Sequence, residues 1–282
     1  MKIALSSEST CDLPKELLEK YNISTIPYSV ILGDEIVEDD ETVPAKIYDF
    51  VEQTKKLPKT SAINEETYSD YFKKLLKNND AVIHITLSSG LSSSNSHAVS
   101  ASEKLKNVYV IDSKSLSTGI ALLCIYARKL IDEGLSPDVV AQKVTARIPY
   151  IQASFVVERL DYLYKGGRCS RLALFGANLL KIRPQILVQD GVMSPAKKFR
   201  GKMDSVVTKY CEETLAEFNT PDKSIAFVTH TSATPEMVNS AITAVKNAGF
   251  ETIYDTVAGG TITSHCGEHV LGILYFNDGN KI

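Results

Sequence analysis

Three times in its first 119 residues the chain repeats one pattern: a short apolar run ends in a cluster of hydroxyl residues that opens a helix-like segment. Residues 2–5 lead into Ser6-Ser7-Glu8-Ser9-Thr10. AVIHIT at 81–86 leads into SSGLSSS at 88–94, and VYVID at 108–112 into SKSLSTG at 113–119. Strands alternating with helices argue for parallel βαβ units, which restricts the chain to an α/β fold with a mainly parallel first sheet. In such a sheet ligands bind outside the carboxyl ends of the strands, where helix N-termini present unpaired N–H groups to anions. Three hydroxyl-rich loops at equivalent strand ends therefore point to a shared site for a carboxylate or phosphate. Taken singly, each loop is equally explained by Ser/Thr capping of the next helix.

The intervening segments fit the same frame. Asp12 reads as an N-cap with Pro14 in the first helical turn. Gly33-Asp34 and Asp190-Gly191 each separate two apolar runs and read as hairpin turns. Helices are expected over 92–105, 117–133, 135–148, 205–218 and 235–248, and strands over 224–229, 251–257 and 271–276. The texture changes after about residue 157, so the chain divides into an α/β domain at 1–157, with the hydroxyl-rich loops, and a second at 158–282. The second carries a glycine-broken basic turn, Lys165-Gly166-Gly167-Arg168, and a late small-residue stretch around His265.

Composition narrows the function. A chain of 282 residues with 44% hydrophobic content buries a core without disulfides or metal. A net charge of −3 lacks the basic excess of a nucleic-acid binder. No apolar run reaches the ~18–20 residues of a membrane helix. The N-terminus turns polar too early for a signal peptide, and five cysteines with no C-x-x-C pair indicate a reducing cytoplasm. There is no phosphate loop, no dinucleotide glycine motif and no G-x-S-x-G elbow, so no cofactor is implied. His265 and His269 are spaced i, i+4 but lack a third ligand, which argues against zinc. His265 is a candidate contact for an anion, and Arg168, Arg171, Arg183 and Arg200 are candidate cationic partners. The 197–202 stretch KKFRGK is a local basic patch.

In order along the chain, SESTCDLP at 7–14, KTSAINEETY at 59–68, SSGLSSS at 88–94, VIDSKSLSTG at 110–119, ERLDYLYKGGRCS at 158–170, IRPQILVQDGVMSPAKKFRGK at 182–202 and TVAGGTITSHCGEHVLG at 256–272 resemble the motifs of the DegV family of bacterial fatty-acid-binding proteins. The resemblance covers nearly the whole chain. It implies two α/β domains, the second with a mixed sheet, and a long-chain fatty acid held between them. The carboxylate would meet Thr60, Ser61, Ser92 and His265. Ile120, Ala121 and Ile262 are candidates for the tunnel wall. The resemblance also implies presentation of the acid to an ATP-binding fatty acid kinase subunit, with Arg168 and Arg200 near that partner or the acyl phosphate, so the chain itself is read as a non-catalytic carrier. A Ser92/His265 acyl hydrolase and a carrier of another amphipathic anion are the alternatives. The chain departs from the family pattern at Glu8 (usually Asp), at Asn95 (usually Tyr) and at Glu268-His269 (usually Pro-Gly). The last change predicts a more polar mouth or a different ligand.

Overall fold

The computed structural model describes residues 1–169 and 182–279; Arg171 lies outside the described residues. The first half runs β1 (Ile3–Glu8), α1 (Lys15–Lys20), β2 (Ile23–Ile26), β3 (Ser29–Leu32), β4 (Glu35–Glu38), α2 (Val43–Thr54), β5 (Lys59–Ser61), α3 (Glu65–Leu76), β6 (Ala81–Thr86), α4 (Ser94–Glu103), β7 (Val108–Asp112), α5 (Thr118–Asp132) and α6 (Pro137–Arg147). The second runs β8 (Ile151–Val156), α7 (Asp161–Gly166), β9 (Arg183–Gln189), β10 (Val192–Phe199), α8 (Met203–Glu217), β11 (Ile225–Thr231), α9 (Pro235–Asn247), β12 (Thr252–Val257), α10 (Gly260–Cys266) and β13 (Val270–Phe276).

The repeated pattern builds the expected parallel sheet, in the order β2-β1-β6-β7. β1 and β6 are central and buried on both faces, so even the polar His84 and Thr86 of AVIHIT are enclosed. β1 continues through Glu8 instead of ending at Leu5, because the hydroxyls of its serines are satisfied inside the sheet. Ser7 donates to the Ile85 carbonyl at 2.7 Å, and Ser6 bonds His84 Nδ1 at 2.8 Å. β3 forms the expected hairpin with β4 and also pairs with β5 in a small antiparallel sheet.

The second sheet is mixed and runs β10-β9-β8-β13-β11-β12. Its first strand in sequence, β8, begins at Ile151 and pairs with β13 and β9. One face is covered by α8 and α9, which close a core around Val156, Tyr210 and Tyr275. The other face receives α5, which also touches β1 and β6. α5 is buried around nearly its whole circumference because it lies between the two sheets, and a single apolar cluster runs through it into both.

Two local expectations are corrected. Asp12 does not cap α1: it sits at φ 52°, and Pro14 occupies the position before the helix. The glycine-broken basic turn follows from a short helix, α7, that runs through Gly166, and the small-residue stretch around His265 is itself the short helix α10. Their glycines and small residues weaken the helical periodicity, and tertiary contacts supply what propensity does not.

Candidate functional site

α10 carries the late histidine, and acids from the first half hold the start of that helix. Asp39 accepts from the N–H groups of Gly260 (2.7 Å) and Thr261 (3.1 Å), and Asp12 accepts from Gly259 N–H (2.8 Å). A helix leaves its first N–H groups unpaired, so these carboxylates satisfy donors that a short buried helix would otherwise strand. Asp12 also accepts from Ser117 at the start of α5. Burial pushes its pKa up to about 8.

Pinned in this way, α10 faces the loop after β6 across a cavity of about 80 Å3. The other walls come from β5, the loop before α5, the 166–168 turn and the β9–β10 hairpin. The hairpin tip closes against the β6 loop backbone to backbone. Ser88 donates to the Gly191 carbonyl at 2.7 Å, and a Cβ on Gly90 would stand 2.5 Å from that same oxygen. Both glycines are thus required by close approach.

The cavity has a polar and an apolar end. Thr60, Arg168 and His265 also border an outer basin that Lys59 and Lys165 line. Leu116, Ile262 and Cys266 also wall a narrow inner cavity of about 30 Å3, which reaches Ala153, Phe155 and Leu274 of the second sheet.

At the polar end, Thr60 Oγ1 and His265 Nε2 are bonded at 2.8 Å. His265 Nδ1 is buried, has no partner among the described residues, and faces Gly166. Burial, aided by the Arg168 guanidinium, pulls the His265 pKa down to about 4, so the ring is neutral at pH 7. Ser92 Oγ accepts from the Tyr28 hydroxyl at 3.1 Å and from Ser94 N–H at 3.2 Å. Arg168 donates to the carbonyls of Gly166 (2.6 Å) and Leu91 (3.4 Å). With His265 bonded to Thr60 and Ser92 receiving two donors, the pair required for serine activation is not made. The arrangement offers hydrogen-bond donors to an anion.

Thr60, Ser92, Arg168, His265 and Ile262 therefore converge on one cavity. Other expected residues stand elsewhere. Ser61 alternates to the opposite side of β5 and is exposed. Ile120 and Ala121 are fully buried in α5, in the core between the sheets. Arg200 is exposed just past the far end of β10 from Met193, which lines the cavity. At about 3.3 Å per residue this places it roughly 20 Å along the strand. The predicted effect of Glu268 and His269 on the mouth is also corrected, since neither lines the cavity. His269 adopts φ 53°, the region glycine favours, and its ring turns to Glu158, with Nδ1···Oε2 at 2.5 Å. Asn95 points beneath the site to Thr86. Tyr28, Met193 and Cys266 were not marked by the sequence: Tyr28 and Met193 lie beside apolar stretches and read as core, and Cys266 reads as one more small residue beside His265.

Beneath Ser92 lies the buried Glu8. It accepts from Tyr68, from Leu87 N–H at 2.7 Å and from Thr10 at 3.2 Å. Burial raises its pKa to about 7 against the pull of these donors.

The family model described as "Uncharacterised protein, DegV family" matches residues 2–278. The chain is 33% identical over 281 residues to a Thermotoga maritima protein named fatty acid-binding protein, covering 96% of each. The crystal structure of DegV from Bacillus subtilis, described as a fatty acid binding protein, superposes with TM-score 0.86 at 28% identity, covering 98% of this chain and 99% of that one. A stearic acid-binding protein from Eubacterium ventriosum superposes with TM-score 0.87 at 26% identity, covering 99% and 100%.

Proposed function

The chain belongs to the DegV family, and from that premise we propose that it binds a long-chain fatty acid. The carboxylate lies at Thr60, Ser92 and His265, and the acyl chain extends past Ile262 into the inner cavity. The observation that carries this reading is the polarity of the cavity: hydroxyls, a neutral imidazole and a guanidinium at the end nearest solvent, and an apolar interior between the sheets. Its energetics are adequate. Burying a ~16-carbon chain at ~0.8 kcal/mol per methylene gives an upper limit on the order of 10 kcal/mol before ordering costs. The outer basin with Lys59, Lys165 and Arg168 gives a phosphoryl donor held by an ATP-dependent fatty acid kinase subunit a basic approach to the carboxylate.

The test is mass spectrometry of whatever is extracted by organic solvent from the purified protein, followed by binding to the delipidated protein. A stoichiometric long-chain acid, with affinity lowered at least tenfold in Ser92→Ala and in His265→Ala, is expected. An empty protein that takes up no long-chain acid would refute the reading. Formation of acyl phosphate by a kinase subunit and ATP only when this chain is present tests the partnership separately.

A further inference from the structure

A serine hydroxyl has one proton to give and two lone pairs to receive with. At Ser92 both lone pairs are engaged, one by Tyr28 and one by Ser94 N–H, at 3.1 and 3.2 Å. The remaining proton is the only hydrogen-bonding capacity Ser92 has left for whatever occupies the cavity it lines. The Ser94 contact is local, two residues along the same loop. The Tyr28 contact comes from a different segment, between β2 and β3, and nothing in the Ser92 loop requires it. The Tyr28 ring is 2% exposed, so its hydroxyl is held in place. Burial and the nearby Glu8 carboxyl push its pKa well up, so it keeps its proton and remains a donor. The titratable and charged groups around this pair are Glu8 on β1, Tyr68 on α3, Arg168 beyond α7 and His265 on α10.

The geometry points to Tyr28 as a specificity-determining positioning residue: by donating to Ser92 it fixes Ser92 as a donor, which selects an ionised carboxylate over an uncharged head group on the same chain. A carboxylate only accepts, so it matches a donor-only Ser92. An alcohol head group can accept from Ser92 but cannot give its own proton to it, because both Ser92 lone pairs are engaged. Tyr28 also lines the cavity, and its effect on head-group choice runs through its hydrogen bond to Ser92. The inference rests on the fatty-acid reading above and adds how that site discriminates.

The experiment compares hexadecanoate with hexadecan-1-ol on the delipidated protein, wild type and Tyr28→Phe, by displacement of a fluorescent fatty acid. Tyr28→Phe keeps the ring and removes only the hydroxyl. The wild type should prefer the acid, and the variant should lose about tenfold of that preference, through weaker acid binding with alcohol binding unchanged or improved. Parallel weakening of both ligands would show that Tyr28 only packs, and would overturn the inference. A wild type that binds acid and alcohol equally would overturn it while leaving fatty-acid binding intact. A wild type that binds neither would remove the fatty-acid reading as well. A second measurement needs no variant: the carboxyl 13C signal of carbonyl-labelled hexadecanoate bound to wild type should report an ionised group from pH 8 down to pH 6. A protonated bound acid at pH 7 would overturn the inference.

Discussion

Gly166→Ala should separate the site from the fold. Gly166 ends α7 with an ordinary helical backbone, so alanine is conformationally acceptable there. Space is the obstacle: an added Cβ would stand 2.6 Å from His265 Nδ1, 3.5 Å from Cε1 and 3.7 Å from Cγ. These distances place it end-on to the ring. To reach ordinary contact near 3.4 Å the ring must retreat by about 0.8 Å. Retreat in its own plane toward Thr60 would bring the 2.8 Å Thr60–His265 bond to about 2 Å, which is impossible, so the ring swings aside and the bond is lost. A lost neutral hydrogen bond costs ~1 kcal/mol, while alanine gains up to ~1 kcal/mol of helix propensity over glycine. The melting temperature should therefore barely move. Fatty-acid affinity should fall about five- to tenfold, the equivalent of ~1–1.4 kcal/mol. The neighbouring Gly167→Ala gives the opposite signature. Among the described residues nothing lies within 4 Å of its Cβ position, but its φ is 70°, so alanine costs roughly 1–2 kcal/mol in stability and leaves binding unchanged. Titration calorimetry with a long-chain acid, alongside thermal unfolding of both variants, makes the comparison. Wild-type affinity in Gly166→Ala would refute the placement of His265 in the carboxylate site.

Ile262 walls both cavities, so Ile262→Trp should block the passage between them; a chain-length series should show a ~16-carbon acid losing at least tenfold and a ~8-carbon acid little, and parallel losses would count against the inner cavity as the tail site. Asp39→Ala removes the acceptor for two α10 N–H groups and should lower stability by about 1–3 kcal/mol in urea unfolding, with weaker ligand binding. Stability should also depend on pH. Glu8 and Asp12 are raised from 4.5 and 3.8 to about 7 and 8, so they favour the fold at low pH and that contribution is lost as pH rises through 7–8. His84 and His265 are lowered from 6.5 to about 3 and 4, so their contribution is present above 6.5 and lost on acidification. The two pairs oppose each other between pH ~5 and 6.5, giving a plateau, and only the acids act above it. The ligand-free protein should lose about 2 kcal/mol between pH 6.5 and 8; a rise in urea midpoint over that range would contradict the assignment.

The parallel sheet was legible because its signal is local: β6 and β7 are contiguous apolar runs, and each hairpin is marked by its own turn residues. The mouth was partly legible, since Thr60, Ser92, Arg168 and His265 lie in motifs dense in small and polar residues. What failed depends on direction. β5 is three residues long, and only its pleat decides that Thr60 faces the cavity and Ser61 faces solvent. Ile120 and Ala121 occupy a helix apolar on every side, and periodicity cannot say which side meets a cavity. Asp12 looks like a cap for the helix that follows it, and it does hold helix termini, but those of α5 and α10, more than 100 residues away. No window on the sequence contains that information.

These long-range bonds explain why the site lies where it does. Each half of the chain supplies one part of the polar end: Thr60 and Ser92 come from the first, Arg168 and His265 from the second. A site split in this way works only if the halves are held in register to within a hydrogen-bond length. Asp12 and Asp39 fix the start of α10, the Ser88–Gly191 bond fixes the hairpin tip, and α5 fills the space between the sheets. Each of these contacts is buried or partly buried, and each joins the two halves. The residues that resemble the family outside the cavity, such as SESTCD and QDGV, are thereby explained without assigning them a ligand. They keep donor groups from two sheets pointed at one place, and the apolar space left between the sheets behind those donors is the inner cavity.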